Sequence, residues 1–186
     1  AQARIESDDD LPSVGLTWAI SPRMNLRAAW SRTLARPTFR ELAPVATEEF
    51  IFGDEFLGNP ELQLSSIENW DLRWEWFRRP GEVLAVSVFY KELTNPIELI
   101  SFGASNRTFV QPVNFDRGER RGGEFELRSS LEVCGRPLRD LTLGFNVALL
   151  ETEAEVPEVE QIALEQFGLE SPTRRLQGQP EYLLNL

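Results

Sequence analysis

The chain has 186 residues, of which 30 are acidic and 19 basic, so its formal net charge is −11 and its isoelectric point is about 4.6. An acidic balance argues against non-specific nucleic-acid binding, which depends on a basic surface. Because there is no histidine and only one cysteine, Cys134, the composition excludes a His/Cys zinc site, a Ser-His-Asp triad and an intrachain disulfide. Carboxylate pairs are numerous but none lies in a catalytic motif, so we expect no enzyme, no cofactor, no metal and no nucleic-acid partner.

Segments with alternating apolar and polar residues predict β-strands, because successive side chains of a strand point to opposite faces. In chain order they are residues 13–20, 25–31, 67–77, 84–91, 124–128, 141–149 and 181–186. The third segment is the clearest, since three of its apolar residues are tryptophans that alternate with charged residues. The sequence therefore predicts an all-β antiparallel meander of about seven strands.

The apolar sides of these strands are rich in tryptophan. All 5 tryptophans of the chain fall there. One interpretation is a water-soluble β-sandwich, whose strands also alternate. A wall that faces lipid is the better fit, because indole rings favour the membrane–water interface. The residues that we predict to face lipid are Trp18, Trp30, Trp70, Trp74, Trp76, Leu143 and Phe145.

The links between the predicted strands alternate in length. Residues 21–24, 78–82 and 132–140 are short links, and residues 32–66, 92–120 and 151–179 are long ones. In an antiparallel meander every second link emerges at the same end, so the short links share one rim and the long links share the other. This asymmetry is typical of outer-membrane barrels, which have short periplasmic turns and long extracellular loops.

Four pieces of sequence carry a family resemblance. They are NLRAAWSRTLARP (25–37), FRELAP (39–44), GNPEL (58–62), and a set formed by VSVFYK (86–91), NPI (95–97), NF (114–115) and GGEFEL (122–127). The pairs Asn59-Pro60 and Asn95-Pro96 within them predict turns. In their order and spacing, the pieces resemble the C-terminal barrel region of TonB-dependent outer-membrane receptors over nearly the whole chain.

The resemblance implies a partial transmembrane β-barrel in the outer membrane of a Gram-negative bacterium. It implies active uptake of a scarce nutrient such as a ferric siderophore, cobalamin or a saccharide. The implied partners are outer-membrane lipid, a small-molecule or metal-chelate ligand, and the TonB energy-coupling protein, which would act through a plug region. Family members carry such a plug and a 22-stranded barrel. No plug, coupling box or closing strand is recognisable, so we expect residues 1–186 to form one incomplete barrel domain, an internal or C-terminal piece. The alternative is a surface-exposed structural or adhesive β-domain without a transport role.

Two sets of residues are candidates for a functional site. The charged residues predicted to face the barrel lumen are expected to pair across strands and hold a plug, or to contact a passing ligand. They are Arg27, Asp71, Arg73, Glu75, Glu124, Glu126 and Arg128. In the first long link, Arg36 and Arg40 could bind an anionic ferric chelate, or pair with nearby glutamates. Phe50, Phe52 and Phe56 could offer an aromatic contact surface, or pack the link against itself.

Overall fold

The fold is a strand-rich meander, and the computed structural model describes residues 7–48, 53–104, 107–135, 138, 140–158, 160–161 and 171–186. In chain order the elements are β1 (Ser13–Ser21), β2 (Met24–Ala35), α1 (Phe39–Leu42), β3 (Ala46–Glu48), β4 (Glu55–Leu57), β5 (Ser65–Trp76), β6 (Val83–Thr94), β7 (Ile97–Ala104), β8 (Arg107–Asn114), β9 (Arg117–Ser130), a 3₁₀ turn (Leu131–Cys134), β10 (Thr142–Glu155), β11 (Thr173–Arg174) and β12 (Tyr182–Asn185). The main sheet has the order β1-β2-β5-β6-β9-β10-β11, and β12 also pairs with β10. The main sheet is open, not closed into a barrel. The predicted antiparallel meander is confirmed, and the seven predicted segments correspond to β1, β2, β5, β6, β9, β10 and β12.

A second sheet lies within the two long links that precede β5 and β9. Its order is β3-β4-β8-β7, and β4 pairs with β8 in parallel. The sequence pattern predicts loops, without strands, for both links. They form strands because the β7–β8 hairpin has a free edge, and the short β4 pairs with that edge. This pairing joins residues that are far apart in the chain. The main strands also extend further than predicted, since the backbone ladder continues to Thr94 opposite Arg117.

The short links all lie at one end of the main sheet, as predicted. Met24 pairs with Trp76, and Trp76 pairs with Leu84, next to the first two short links. At the opposite end Ala35 pairs with Ser65, next to the first long link. We refer to these as the short-turn end and the loop end.

The two faces of the main sheet differ in character. The apolar face carries the alternating apolar side chains of β1, β2, β5, β6, β9, β10 and β12, and many are exposed, among them Leu16 (67%), Val14 (63%) and Leu149 (63%). In a β-sandwich a second sheet would bury these side chains. Their exposure therefore speaks against the sandwich alternative. Separately, the part of the chain that the structure describes has no helix long and apolar enough to cross a bilayer.

The best-buried core lies at the loop end, on the other face, which we call the polar face. Phe115 (0% exposed), Ala154 and Leu176 form it, and Leu93 and Ile100 pack against it. These residues come from β6, β7, β10 and the segments that follow β8 and β11. The core therefore joins the main sheet to the second and third long links.

Candidate functional site

The centre of the polar face is an ion-pair network around Arg73. Its Nη2 lies 2.7 Å from Glu126 Oε2 on β9, and its Nε lies 2.9 Å from Glu75 Oε1 on β5. Its Nη1 donates to Ser87 Oγ on β6 at 3.0 Å. One guanidinium thus connects three adjacent strands, as expected for the planar, many-donor arginine side chain.

The network extends outwards on both sides. Arg27 Nε on β2 lies 2.8 Å from Glu75 Oε2, and Arg128 Nη2 lies 3.8 Å from Glu126 Oε1. Five of the seven residues predicted to face the lumen are therefore linked in one chain of alternating charge. Asp71 and Glu124 lie on the same face, but neither makes an ion pair with another described residue.

The seven residues predicted to face lipid all lie on the apolar face. Register places Trp30 beside Trp70, and the Trp70 and Tyr90 rings lie 5.5 Å apart between centroids. The Phe125 and Phe145 rings lie 6.2 Å apart. Towards the loop end the same face becomes charged.

A row of ion pairs marks the boundary of the apolar band. Arg32 pairs with Glu68 at 2.6 Å, and Arg121 pairs with Glu151 at 2.9 Å. Between these two pairs, Arg117 lies 2.9 Å from Glu92. Towards the loop end, aromatic side chains on this face give way to charged ones. This order is expected where a wall that faces lipid reaches the membrane–water interface.

The first long link places the candidate ligand residues near α1. The helix begins with a capping box, in which Glu41 Oε2 accepts from the Thr38 backbone N–H at 2.6 Å and Thr38 Oγ1 accepts from Glu41 N–H at 3.3 Å. The Arg40 guanidinium lies 4.3 Å from the centroid of the Phe56 ring, a cation–π contact. The structure therefore brings these two candidates together.

The other candidates of this link are less constrained. Arg36 follows β2 directly and is exposed. Phe50 and Phe52 lie outside the described residues.

Three asparagines that sequence reasoning assigned to turns, or left without a role, connect the long links. Asn114 Oδ1 accepts from Gln63 N–H at 2.8 Å, while Asn114 Nδ2 donates to Gln63 O at 3.2 Å and to Asn95 O at 2.8 Å. Asn95 has a φ of 55°, a conformation that asparagine tolerates better than most residues. Ser65 Oγ donates to the same Asn95 carbonyl at 2.7 Å.

Asn59 makes the equivalent connection for α1. Its backbone N–H donates to Glu41 O at 2.6 Å, and its Nδ2 donates to Pro112 O at 3.2 Å. The preceding Gly58 packs so closely that a Cβ would lie 2.0 Å from Ala43 O. The three asparagines stand in the segments GNPEL, NPI and NF, which carry part of the family resemblance. Their hydrogen-bond partners could not be predicted, because those partners are remote in the chain.

The third long link is held by Arg174. Its Nη1 lies 3.1 Å from Glu98 Oε2 on β7, its Nη2 donates to Leu99 O at 3.3 Å, and its guanidinium lies 4.5 Å from the Phe115 ring centroid. Gln177 adds a side-chain pair to Leu99, donating through Nε2 at 2.8 Å and accepting from the Leu99 N–H at 3.2 Å. We call residues 36–64, 95–116 and 156–181, where described, the loop assembly.

The polar face and the loop assembly offer guanidinium groups, amides and aromatic rings. Among the described residues no group of three or more potential metal-ligating side chains occurs.

Comparison with known proteins extends these observations. A family model described as "TonB dependent receptor-like, beta-barrel" matches residues 2–186. No curated protein matches the chain. Among solved structures, the chain is similar to the siderophore receptor PirA from Pseudomonas aeruginosa, with 20% identity and a TM-score of 0.62 over 77% of this chain and 29% of that one.

A second similar structure is a mutant of the ferric enterobactin receptor PfeA from Pseudomonas aeruginosa in complex with enterobactin. It has 23% identity and a TM-score of 0.53 over 75% of this chain and 22% of that one. The chain thus spans less than a third of the length of either receptor. At these identities the similarity is one of fold.

Proposed function

Because this chain belongs to the TonB-dependent receptor β-barrel family, we propose that it forms part of the wall of an outer-membrane receptor that takes up a scarce nutrient of the ferric-siderophore class. The observation that carries the proposal is a meander with one exposed apolar face, one ion-paired face and all short links at one end. Lipid is the environment in which an exposed apolar face of this kind is stable, and a polar lumen is the environment that suits the other face. The siderophore class is supported by the two similar receptors, whose names specify it.

In this arrangement each part of the chain has a distinct role. The apolar face contacts lipid from the tryptophans of β5 to the row of ion pairs that begins at Arg32 and Glu68. The polar face lines the lumen, where the Arg73 network stiffens the wall across β2, β5, β6 and β9. The loop assembly lies outside the cell, and Arg36, Arg40 and Phe56 contribute to capture of the ligand. Energy reaches the receptor through TonB acting on parts of the receptor beyond this sequence.

Site-specific labelling tests the orientation. In the full-length receptor with Cys134→Ser, we would introduce Asp116→Cys at the loop end and, separately, Pro80→Cys at the short-turn end. A membrane-impermeant maleimide should label the first variant on intact cells and the second only after lysis. Labelling of the Pro80→Cys variant on intact cells would reverse the proposed topology.

Transport tests the function itself. Cells that express the full-length receptor should accumulate iron from ferric citrate, a chelate with carboxylate groups, when TonB is present and not when it is deleted. Arg36→Ala with Arg40→Ala should weaken binding of this probe, whereas Arg23→Ala at the short-turn end is the matched control. Accumulation that does not depend on TonB would contradict the proposal.

A further inference from the structure

A row of polar side chains crosses the polar face directly beneath the loop assembly. Backbone register aligns Asn69 of β5 with Lys91 of β6, Lys91 with Arg120 of β9, and Arg120 with Thr152 of β10. The next row towards the loop end is apolar and includes Ala154, a member of the buried core. The polar row therefore lies where the polar face meets the core of the loop assembly.

Lys91 and Arg120 in this row are two cations directly opposite each other. Side chains in such positions have Cβ atoms about 4.5–5.5 Å apart, and like charges placed there are destabilising. Neither forms an ion pair with a described residue. Asp71 and Glu124 are the nearest acids on this face, two and four residues along their strands from the row.

The other carboxylates of these strands cannot neutralise the pair. Side chains alternate between faces along a strand, so the acids adjacent to the row lie on the apolar face. They are Glu68, Glu92, Glu119, Glu151 and Glu153. Four of them already pair with arginines there: Glu68 with Arg32, Glu92 and Glu119 with Arg117, and Glu151 with Arg121.

Two buried polar atoms of the row have no hydrogen-bond partner. Thr152 is only 4% exposed, and its Oγ1 is unpaired, as is the Nε of Arg120. Buried polar groups are nearly always paired, so these two atoms leave room for a further partner, which can be a water molecule, an ion or a ligand group. The Arg120 guanidinium is held 5.7 Å from the centroid of the Phe89 ring, and Phe89 itself lies over Gly122, where a Cβ would be 2.6 Å from its Cζ.

We propose that Lys91, Arg120 and Thr152 form an anion site that binds a carboxylate group of the transported ligand as it leaves the loop assembly for the lumen. The site supplies two positive charges, an N–H donor and a hydroxyl, which together match a carboxylate. The inference rests on the proposed function in one respect, that the polar face lines the lumen. A carboxylate could also come from an acidic side chain elsewhere in the parent receptor. The experiment below distinguishes such a side chain from a bound ligand.

Binding of citrate to the purified full-length receptor tests the site. Calorimetry would compare the wild type with Lys91→Gln, Arg120→Gln and the double variant. We expect citrate to bind about tenfold more weakly to each single variant and roughly a hundredfold more weakly to the double variant, since each loses a hydrogen bond to a charged group. Arg120→Lys should recover part of the affinity. Arg117→Gln, on the opposite face of β9, is the matched control and should bind like the wild type.

The remaining outcomes are distinct. Citrate affinity that is equal in the wild type and the double variant, or no citrate binding at all, would overturn the inference even if iron uptake still depends on TonB. The double variant could also bind citrate with unchanged affinity but lose the same thermal stability with and without citrate. That result would show that Lys91 and Arg120 pair with an acidic side chain of the parent receptor, and it would also overturn the inference. Reversed labelling of the Asp116 and Pro80 positions would overturn the proposed function. Citrate binding that still required Lys91 and Arg120 would then support the anion site alone.

Discussion

The band of the main sheet between its two ends and the loop assembly are built on different physical principles. In the band, strands are joined by backbone ladders and by ion pairs on one face, while the apolar face leaves Leu16 67% exposed. The loop assembly instead has a buried apolar core, with Phe115 at 0% and Leu62 at 3% exposure, although Phe39 and Phe102 are exposed. The apolar side chains of the band thus point outwards, whereas the loop assembly buries a central group of them.

In the proposed receptor, the difference follows from the solvent that each region meets. A face that contacts lipid gains nothing from being covered by protein, whereas a region in water must bury apolar area, at about 25 cal/mol per Å². The loop assembly therefore has a core, a capped helix and asparagine cross-links, as a small water-soluble domain does. In the proposed receptor, the band depends on lipid to cover its apolar face.

Truncating the loop core should have the largest effect. Phe115→Ala removes a fully buried ring and should destabilise the loop assembly by about 3–5 kcal/mol. Hydrogen exchange of amides 93–118 in the full-length receptor would measure the loss, with amides of β5 as an internal reference. Phe102→Ala, at a 37% exposed ring stacked on Phe109, is the control and should cost about 1 kcal/mol. Equal effects of the two substitutions would show that the core is not what holds the assembly.

Charges introduced into the band should come next. Trp74→Arg and Leu143→Arg on the apolar face should cost about 2–4 kcal/mol near the bilayer midplane and less near an interface. Asn146→Arg, on the polar face of the same strand as Leu143, should cost little. Urea unfolding of the full-length receptor in lipid vesicles gives these free energies, and similar losses on both faces would show that the lipid-facing assignment is wrong.

Removing one cross-link between the long links should have an intermediate effect. Asn114→Ala removes three hydrogen bonds, two of them to the Gln63 backbone, while the Asn95 carbonyl keeps its bond from Ser65; the loss should cost about 1–3 kcal/mol. Asn114→Asp keeps an acceptor for the Gln63 N–H but places a carboxylate oxygen against the Gln63 and Asn95 carbonyls, so its cost should be at least as large. Exchange of amides 59–66 and 95–116 reports both. A cost for Asn114→Asp well below that of Asn114→Ala would show that the two donor bonds contribute little.

The smallest effects should come from single ion pairs, and they should differ by position. Arg73→Met at the centre of the lumen network should cost about 1–2 kcal/mol, because Glu75 and Glu126 each lose a partner while the site stays partly hydrated. Arg121→Met, in an exposed pair with Glu151, should cause no measurable change in urea unfolding of the receptor in vesicles. If Arg121→Met lowered the free energy of unfolding more than Arg73→Met, the ion pairs of the apolar face would contribute more to stability than those of the polar face, which would contradict this prediction.

Much of the band could be predicted because alternation is a local signal. Trp74 and Arg73 must point to opposite faces in any strand that contains them, so the face of each candidate follows from its position. The lengths of the links then indicated which end of the sheet carries the short turns. The resemblance in segments such as GNPEL and GGEFEL indicated the family of the chain. Arg40 and Phe56 remain predicted ligand residues, and the cation–π contact between them was not predicted from the sequence.

What the sequence by itself determined is therefore the faces of the seven strands and the end at which the short links lie. The tertiary structure alone decided the contacts between residues far apart in the chain. The parallel pairing of β4 with β8, the bonds from Asn114 to Gln63, and the alignment of Lys91 with Arg120 all depend on register. Register is set by how whole strands and links pack together, and no local pattern in one segment contains it.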